Sequence, residues 1–338
     1  MSFADLPARI TALTRAHERV VVIVIDAFGW AFVQRHASHP LLRRMEIEPL
    51  ASMFPSTTTA HVTTLYSGLP VEQHGLYEWR VYEPLLDAVI IPLRYVTAVD
   101  GGKLALDPRE IVPSPSFFEQ LEVPSTVLQP AHIWPSTYSS AALAGATVIP
   151  FTDVASGVRQ LGTPGLSLLY WDGVDAAGHT HGPSSAAFDA AAIAALDAIE
   201  VALPNHALVL MTADHGQIDV HPDRLDELDV LWPALTEHLL HPPAGSARDC
   251  FLHVDDAPLV IDELSTRLEA SATVHRARDL FPDPGPRLEA RLADVCVLPA
   301  PGRMAWLRAY PSHERRFRGH HGGLTPAESE TWLGVLET

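Results

Sequence analysis

Three apolar runs in this chain end in acids or histidines. Val20 to Ile25 is an unbroken β-branched run closed by Asp26, the pattern of a strand buried on both faces of a helix-covered parallel sheet. Gly165 to Trp171 leads into Asp172, Asp175 and His179, and His206 to Thr212 leads into Asp214-His215. A shorter strand is predicted over Leu50 to Phe54, stopped by Pro55. Ser56-Thr57-Thr58-Thr59 comes next, then a helix from Ala60 to Ser67 that Gly68 ends. STVLQ near Ser125 and GATVIPF near Gly145 read as further strands, and Ser185 to Leu203 as an Ala-rich amphipathic helix with a Ser start. Strands alternating with helices predict an α/β fold, a doubly wound and mostly parallel sheet flanked by helices. Such sheets place their ligands at the carboxyl ends of the strands.

Between His215 and His321 the pattern changes. Pro, Arg and Asp become frequent, and short strand signals (CFLHV, DVCVL, RMAWLRAY) surround a helix near Ala257 to Ala270. The reading is a core over 1–221 and 313–338, with a smaller inserted α+β cap over 222–312.

Composition narrows the partners. The formal net charge of −18 disfavours long nucleic acid. It leaves small phosphorylated substrates open, because bound cations invert the local sign. No apolar run is long enough for a membrane span, and the N-terminus lacks the h-region of a signal peptide, so the expectation is a cytoplasmic protein. Cys250 and Cys296 form no CxxC pair and are read as reduced, half-buried thiols. Oligomeric state leaves no mark in the sequence.

An Asp at one strand end is most often a cap or turn residue. Asp-His after a buried strand and Asp-x-x-x-His are stronger signals, and together they offer the carboxylate and imidazole ligands that Zn²⁺ or Mn²⁺ prefers. The Thr57–Thr59 run offers a nucleophile that needs a base or metal, or simply an N-cap. Arg318 to Glu328, RGHHGGLTPAE, brings two late histidines before Gly-Gly. Within it, Thr325-Pro326-Ala327-Glu328 reads as a capping box with Pro in the first turn.

VVVIVIDAFGW, FPSTTTAHVTTLYSGLPVEQHGL, YWDGVDAAGHTHGP, MTADHGQ and GHHGGLTPAE, in this order, resemble the alkaline phosphatase superfamily and its nucleotide pyrophosphatase/phosphodiesterase branch. The resemblance implies an alkaline phosphatase-like core and two zinc ions, with manganese as the alternative. One ion would be held by Asp175, His179 and His321, the other by Asp26, Asp214, His215 and the Thr58 oxygen. It also selects Thr58 as nucleophile, three residues after Pro55 and ten before Gly68, and prefers His321, directly before Gly322-Gly323, over His320. The implied activity is hydrolysis of phosphodiester or pyrophosphate bonds through a phospho-threonine.

One position departs from the pattern. Where the family carries a phosphate-binding Asn, four residues after Gly75, this chain has Trp79. Glu78, Trp79 and Arg80 are therefore read as a different substrate wall, with Arg80 the candidate replacement donor. Alternatives on the same core are phosphonate hydrolysis of the phosphonoacetate type, phosphomonoesterase or phosphomutase activity, and a metal-binding protein without turnover. His61 and His181 are placed near the ligands; His17, His36 and His39 are assigned to surface or packing.

Overall fold

Strand β1 (Arg19–Ile25) lies at the centre of a seven-stranded sheet. Its alternating side chains explain why: Val20, Val22 and Val24 enter one buried cluster, and Val21, Ile23 and Ile25 enter another on the opposite face. The structure, a computed structural model, describes residues 1–310 and 312–338. β2 (Glu46–Ala51), β3 (Ser125–Pro130), β4 (Thr147–Phe151), β5 (Gly165–Trp171), β6 (Leu208–Thr212) and β7 (Glu330–Glu337) complete the sheet in the order β2-β7-β6-β1-β5-β3-β4. Only β7 runs against its neighbours. Helices α1 (Leu6–Ala16) and α2 (Thr58–Ser67) cover one face, and α4 (Ala186–Ala202) covers the other; α3 (Gly173–His181) leaves the end of β5.

The predicted strand at Leu50–Phe54 is displaced toward the N-terminus. Glu46–Ala51 pairs with β7, and the residues after it form the irregular approach to α2. The 330–337 strand was not predicted: ETWLGVLE mixes acids, Thr and Gly with apolar residues, so it carries no clean run. Trp332 and Leu333 nevertheless fill opposite cores.

Within 222–312, strands Ala244–Ser246, Asp249–Leu252, Val295–Pro299 and Ala272–Arg276 form a four-stranded antiparallel sheet in that order. Helix α5 (Ala257–Leu268) packs on one face through Val260, Leu264 and Leu268. The other face meets the loops beside Thr58: Phe251 lies 5.0 Å from Tyr77 and 6.4 Å from Phe54 between ring centroids. Cys250 and Cys296 are buried free thiols in this sheet. A small unpredicted meander, Val81–Glu83, Ala88–Ile91 and Val96–Thr97, comes after the Glu78–Arg80 segment. Among the described residues no helix is long and apolar enough to cross a membrane.

Candidate active site

The carboxyl ends of β1, β5 and β6 are held level by their register, Ile25 beside Trp171 and Val24 beside Thr212, so the residues leaving the three strands meet at one edge. Asp26 is 2% exposed there, and the next residue, Ala27, adopts the left-handed region at φ 60°. A non-glycine residue in that conformation costs on the order of 1 kcal/mol and persists where surrounding contacts enforce it. Here the Ala27 N–H donates to Asp214 Oδ1 at 3.1 Å.

Thr58 is the first residue of α2, and Thr57 is its N-cap. The Thr57 hydroxyl is taken up by the cap and by the Tyr77 carbonyl, which leaves Thr58 to face the site. Its Oγ1 donates to Asp26 Oδ2 at 3.2 Å and lies 3.3 Å from His215 Nε2. Tyr170 OH also donates to Asp26; this tyrosine lies next to the end of a strand that reads as pure core, so sequence reasoning missed it.

Asp175 and His179 share one face of α3 at i, i+4 spacing, with His179 Nε2 3.3 Å from Asp175 Oδ2. Gln217 donates to Asp175 Oδ1. The approach of Gln217 requires glycine at 178, where a Cβ would come within 1.9 Å of the Gln217 Oε1. His321 arrives from the late loop, its Nε2 3.6 Å from Asp175 Oδ1 and its ring stacked on His215.

All three site histidines direct Nδ1 at a backbone carbonyl: His179 at Gly319 (2.9 Å), His215 at Gly216 (3.0 Å) and His321 at Ser56 (3.0 Å). These bonds fix the tautomer and leave the Nε2 lone pairs facing inward, which is how imidazoles are oriented for a metal. His320 is different: its Nδ1 accepts from the His321 N–H and its Nε2 faces Glu314, although it stands with His179 and His321 in one potential ligand group. His61 supports from behind, bridging Thr57 O and Ser52 Oγ, and His181 is exposed.

Burial, with the charge of Asp214 next in effect, pushes the Asp26 carboxyl well up. Burial also pushes His321 well down, reinforced by His215 and His179, so it is held neutral. Burial would raise Asp175, but His179, His215 and Gln217 together outweigh it and hold the carboxyl low. Two groups offer converging ligand atoms, Asp26 with Asp214 and His215, and His179 with His320 and His321. Asp214 Oδ2 is buried with no hydrogen-bond partner. Among the described residues no Lys or Arg pairs with Asp26, Asp175 or Asp214. Buried carboxylates without a cation are costly, and the imidazoles beside them complete a donor set that suits divalent zinc or manganese. The residues present fit two such ions.

A cavity of about 390 Å³ opens onto Thr58 and is lined by Glu78 and Trp79. Arg80 does not line it. Its guanidinium is buried against Glu314 at 2.6 Å and lies over Trp306, so the expected replacement donor is turned inward, drawn by a carboxylate far along the chain. The predicted capping box is also altered. Thr325 makes no side-chain cap. Glu328 instead takes a two-pronged bond from Arg248 (3.0 and 2.9 Å) and the Gly323 N–H (3.0 Å), a charge-assisted pairing stronger than a neutral cap.

Residues 20–324 match the family described as type I phosphodiesterase / nucleotide pyrophosphatase. The fold is similar to murine ectonucleotide pyrophosphatase/phosphodiesterase 5, with a TM-score of 0.70 at 16% identity over 94% of this chain and 87% of that one. An inactive threonine-to-alanine variant of the murine protein in complex with AMP gives a TM-score of 0.68 at 16% identity, over 94% and 88% of the two chains. The human counterpart gives 0.66 at 17% identity, over 94% and 87%.

Proposed function

The chain belongs to the type I phosphodiesterase / nucleotide pyrophosphatase family of phosphoric ester hydrolases, which act on small phosphorylated substrates, and from that premise we propose that it cleaves phosphodiester or pyrophosphate bonds through a covalent phospho-threonine at Thr58. The observation that carries this reading is the placement of Thr58 Oγ1 between Asp26 and His215 at the start of α2. Asp175, His179 and His321 would hold one divalent cation, and Asp26, Asp214, His215 and Thr58 the other. When bound, such ions act as Lewis acids on the attacking and leaving oxygens of an in-line displacement.

The chain's own residues supply the rest. Asp26 accepts the Thr58 hydroxyl proton in a hydrogen bond, so the proton lost on attack has a receiver at contact distance. Oγ1 bonds to phosphorus as the bond from phosphorus to the leaving oxygen breaks. The positive end of α2 favours the anionic phosphoryl group beside it. Water then attacks phosphorus, the Thr58 P–O bond breaks, Oγ1 regains its proton from Asp26, and the proton released by the water neutralises the expelled oxygen anion. Asp214 positions the turn after Asp26, and Gln217 fixes the Asp175 carboxylate.

A panel of a bis-nitrophenyl phosphate, a nitrophenyl monophosphate and phosphonoacetate tests the reaction class. Turnover of the diester well above the others is expected, and preference for phosphonoacetate or the monoester would redirect the reading to those chemistries. Trp79 and Glu78 are proposed to shape the leaving-group side of the cavity.

A further inference from the structure

Next to the cavity, apart from the ligands of the two-cation centre, Glu78, Asp249 and Glu314 are each at most 3% exposed. Arg80 pairs with Glu314 at 2.6 Å. Glu78 and Asp249 are left as neighbours close enough to perturb each other's ionisation, and among the described residues neither has an ion-pair partner.

Two of their four oxygens have hydrogen-bond donors. Glu78 Oε2 accepts the Trp79 N–H, and Asp249 Oδ1 accepts the Ser246 hydroxyl. Asp249 Oδ2 is buried and has no hydrogen-bond partner. Glu78 and Ser246 both line the cavity, so the cluster borders it. Gly322, at φ 124°, lets the late loop lie against this acid, since a Cβ there would stand 2.8 Å from Asp249 Oδ1.

We propose that Glu78, Asp249 and Ser246 form a third cation site, for a magnesium- or calcium-type ion, beside the two-cation centre. Two neighbouring buried carboxylates share a proton or bind a cation, because leaving both ionised and unpaired is strongly unfavourable. Burial above all, with Glu314 adding repulsion, pushes Glu78 up to about 8; a dication would let both acids ionise. The donors are all oxygen, with no imidazole or thiolate, which favours a hard ion and separates this site from the histidine-rich centre. The cavity side leaves room for the waters that Mg²⁺ retains.

The test uses the full chain loaded with zinc, its zinc content measured, then titrated with Mn²⁺ and monitored by electron paramagnetic resonance. Zinc outcompetes Mn²⁺ at nitrogen-rich sites, so the signal reports the oxygen site. One further Mn²⁺ per chain, displaced by Mg²⁺ or Ca²⁺ without loss of zinc, is expected. Glu78→Gln and Asp249→Asn should each weaken it by about 10-fold or more while zinc content holds. If one variant fails to fold by circular dichroism, the other decides. No Mn²⁺ uptake by the zinc-loaded protein, or uptake unchanged in the folded variants, overturns the proposal and leaves a proton between the acids. Zinc stoichiometry is read separately, so failure at the two-cation centre is distinguishable.

Discussion

The imidazoles of His215 and His321 stack with centroids 3.9 Å apart and planes 18° apart, although the two residues are far apart in sequence. Each belongs to a different ligand group, so this contact sets how the two halves of the site meet. The His321 loop is in turn held by Glu328 through the Gly323 N–H and the Arg248 guanidinium.

Arg248→Met should therefore destabilise the protein by about 3–5 kcal/mol, because it leaves Glu328 buried and unpaired. Urea denaturation of the variant and wild type measures this. Replacing both partners with apolar residues should recover much of the loss; a single variant within about 0.5 kcal/mol of wild type would show that the pair does not anchor the loop.

Gly178→Ala should act through Gln217, whose Oε1 would lie 1.9 Å from the new methyl group. Displacing Gln217 frees Asp175 Oδ1, and loss of such an orienting partner costs about 10–100-fold in metal affinity or activity. Gln217→Ala should give a similar loss, and the double variant should be little worse than either. Fully additive losses in zinc affinity would mean that Gly178 serves some other purpose.

These two couplings mark what the sequence could and could not disclose. The runs ending at Ile25, Trp171 and Thr212 were legible because both sheet faces are covered, which demands unbroken apolar sequence. Their terminal acids and histidines were legible for the same reason: a polar residue closing such a run stands out. Thr58 needed a resemblance, since Thr57 and Thr59 are chemically equivalent until the helix start distinguishes them. Tyr170 lay hidden as a core residue in its strand. Arg80 was read as substrate-facing because nothing local reveals that Glu314, distant in sequence, claims its guanidinium. β7 escaped because Glu330, Thr331 and Gly334 break its apolar pattern, while pairing with both β2 and β6 supplies its stability.

Acidification should weaken the fold through His74. Burial pushes its imidazole down to about 3, against about 6.5 in an unfolded chain. The unfolded state takes up the proton first, so the stability is complete above about pH 6.5 and is lost as pH falls toward the folded value. Between pH 7.5 and 5.5, wild type should lose about 1.4 kcal/mol more than His74→Gln in urea denaturation. Equal losses in the two proteins would show that His74 takes up its proton as readily in the fold as in the unfolded chain.

The most direct measurement of the central claim is kcat/KM on a bis-nitrophenyl phosphate for wild type and Thr58→Ala, each with its zinc content determined. With the nucleophile placed at Thr58 Oγ1, the variant should fall by at least about 10³-fold while remaining folded. A folded Thr58→Ala protein with wild-type activity would contradict the covalent mechanism and transfer attack to another group in the cavity.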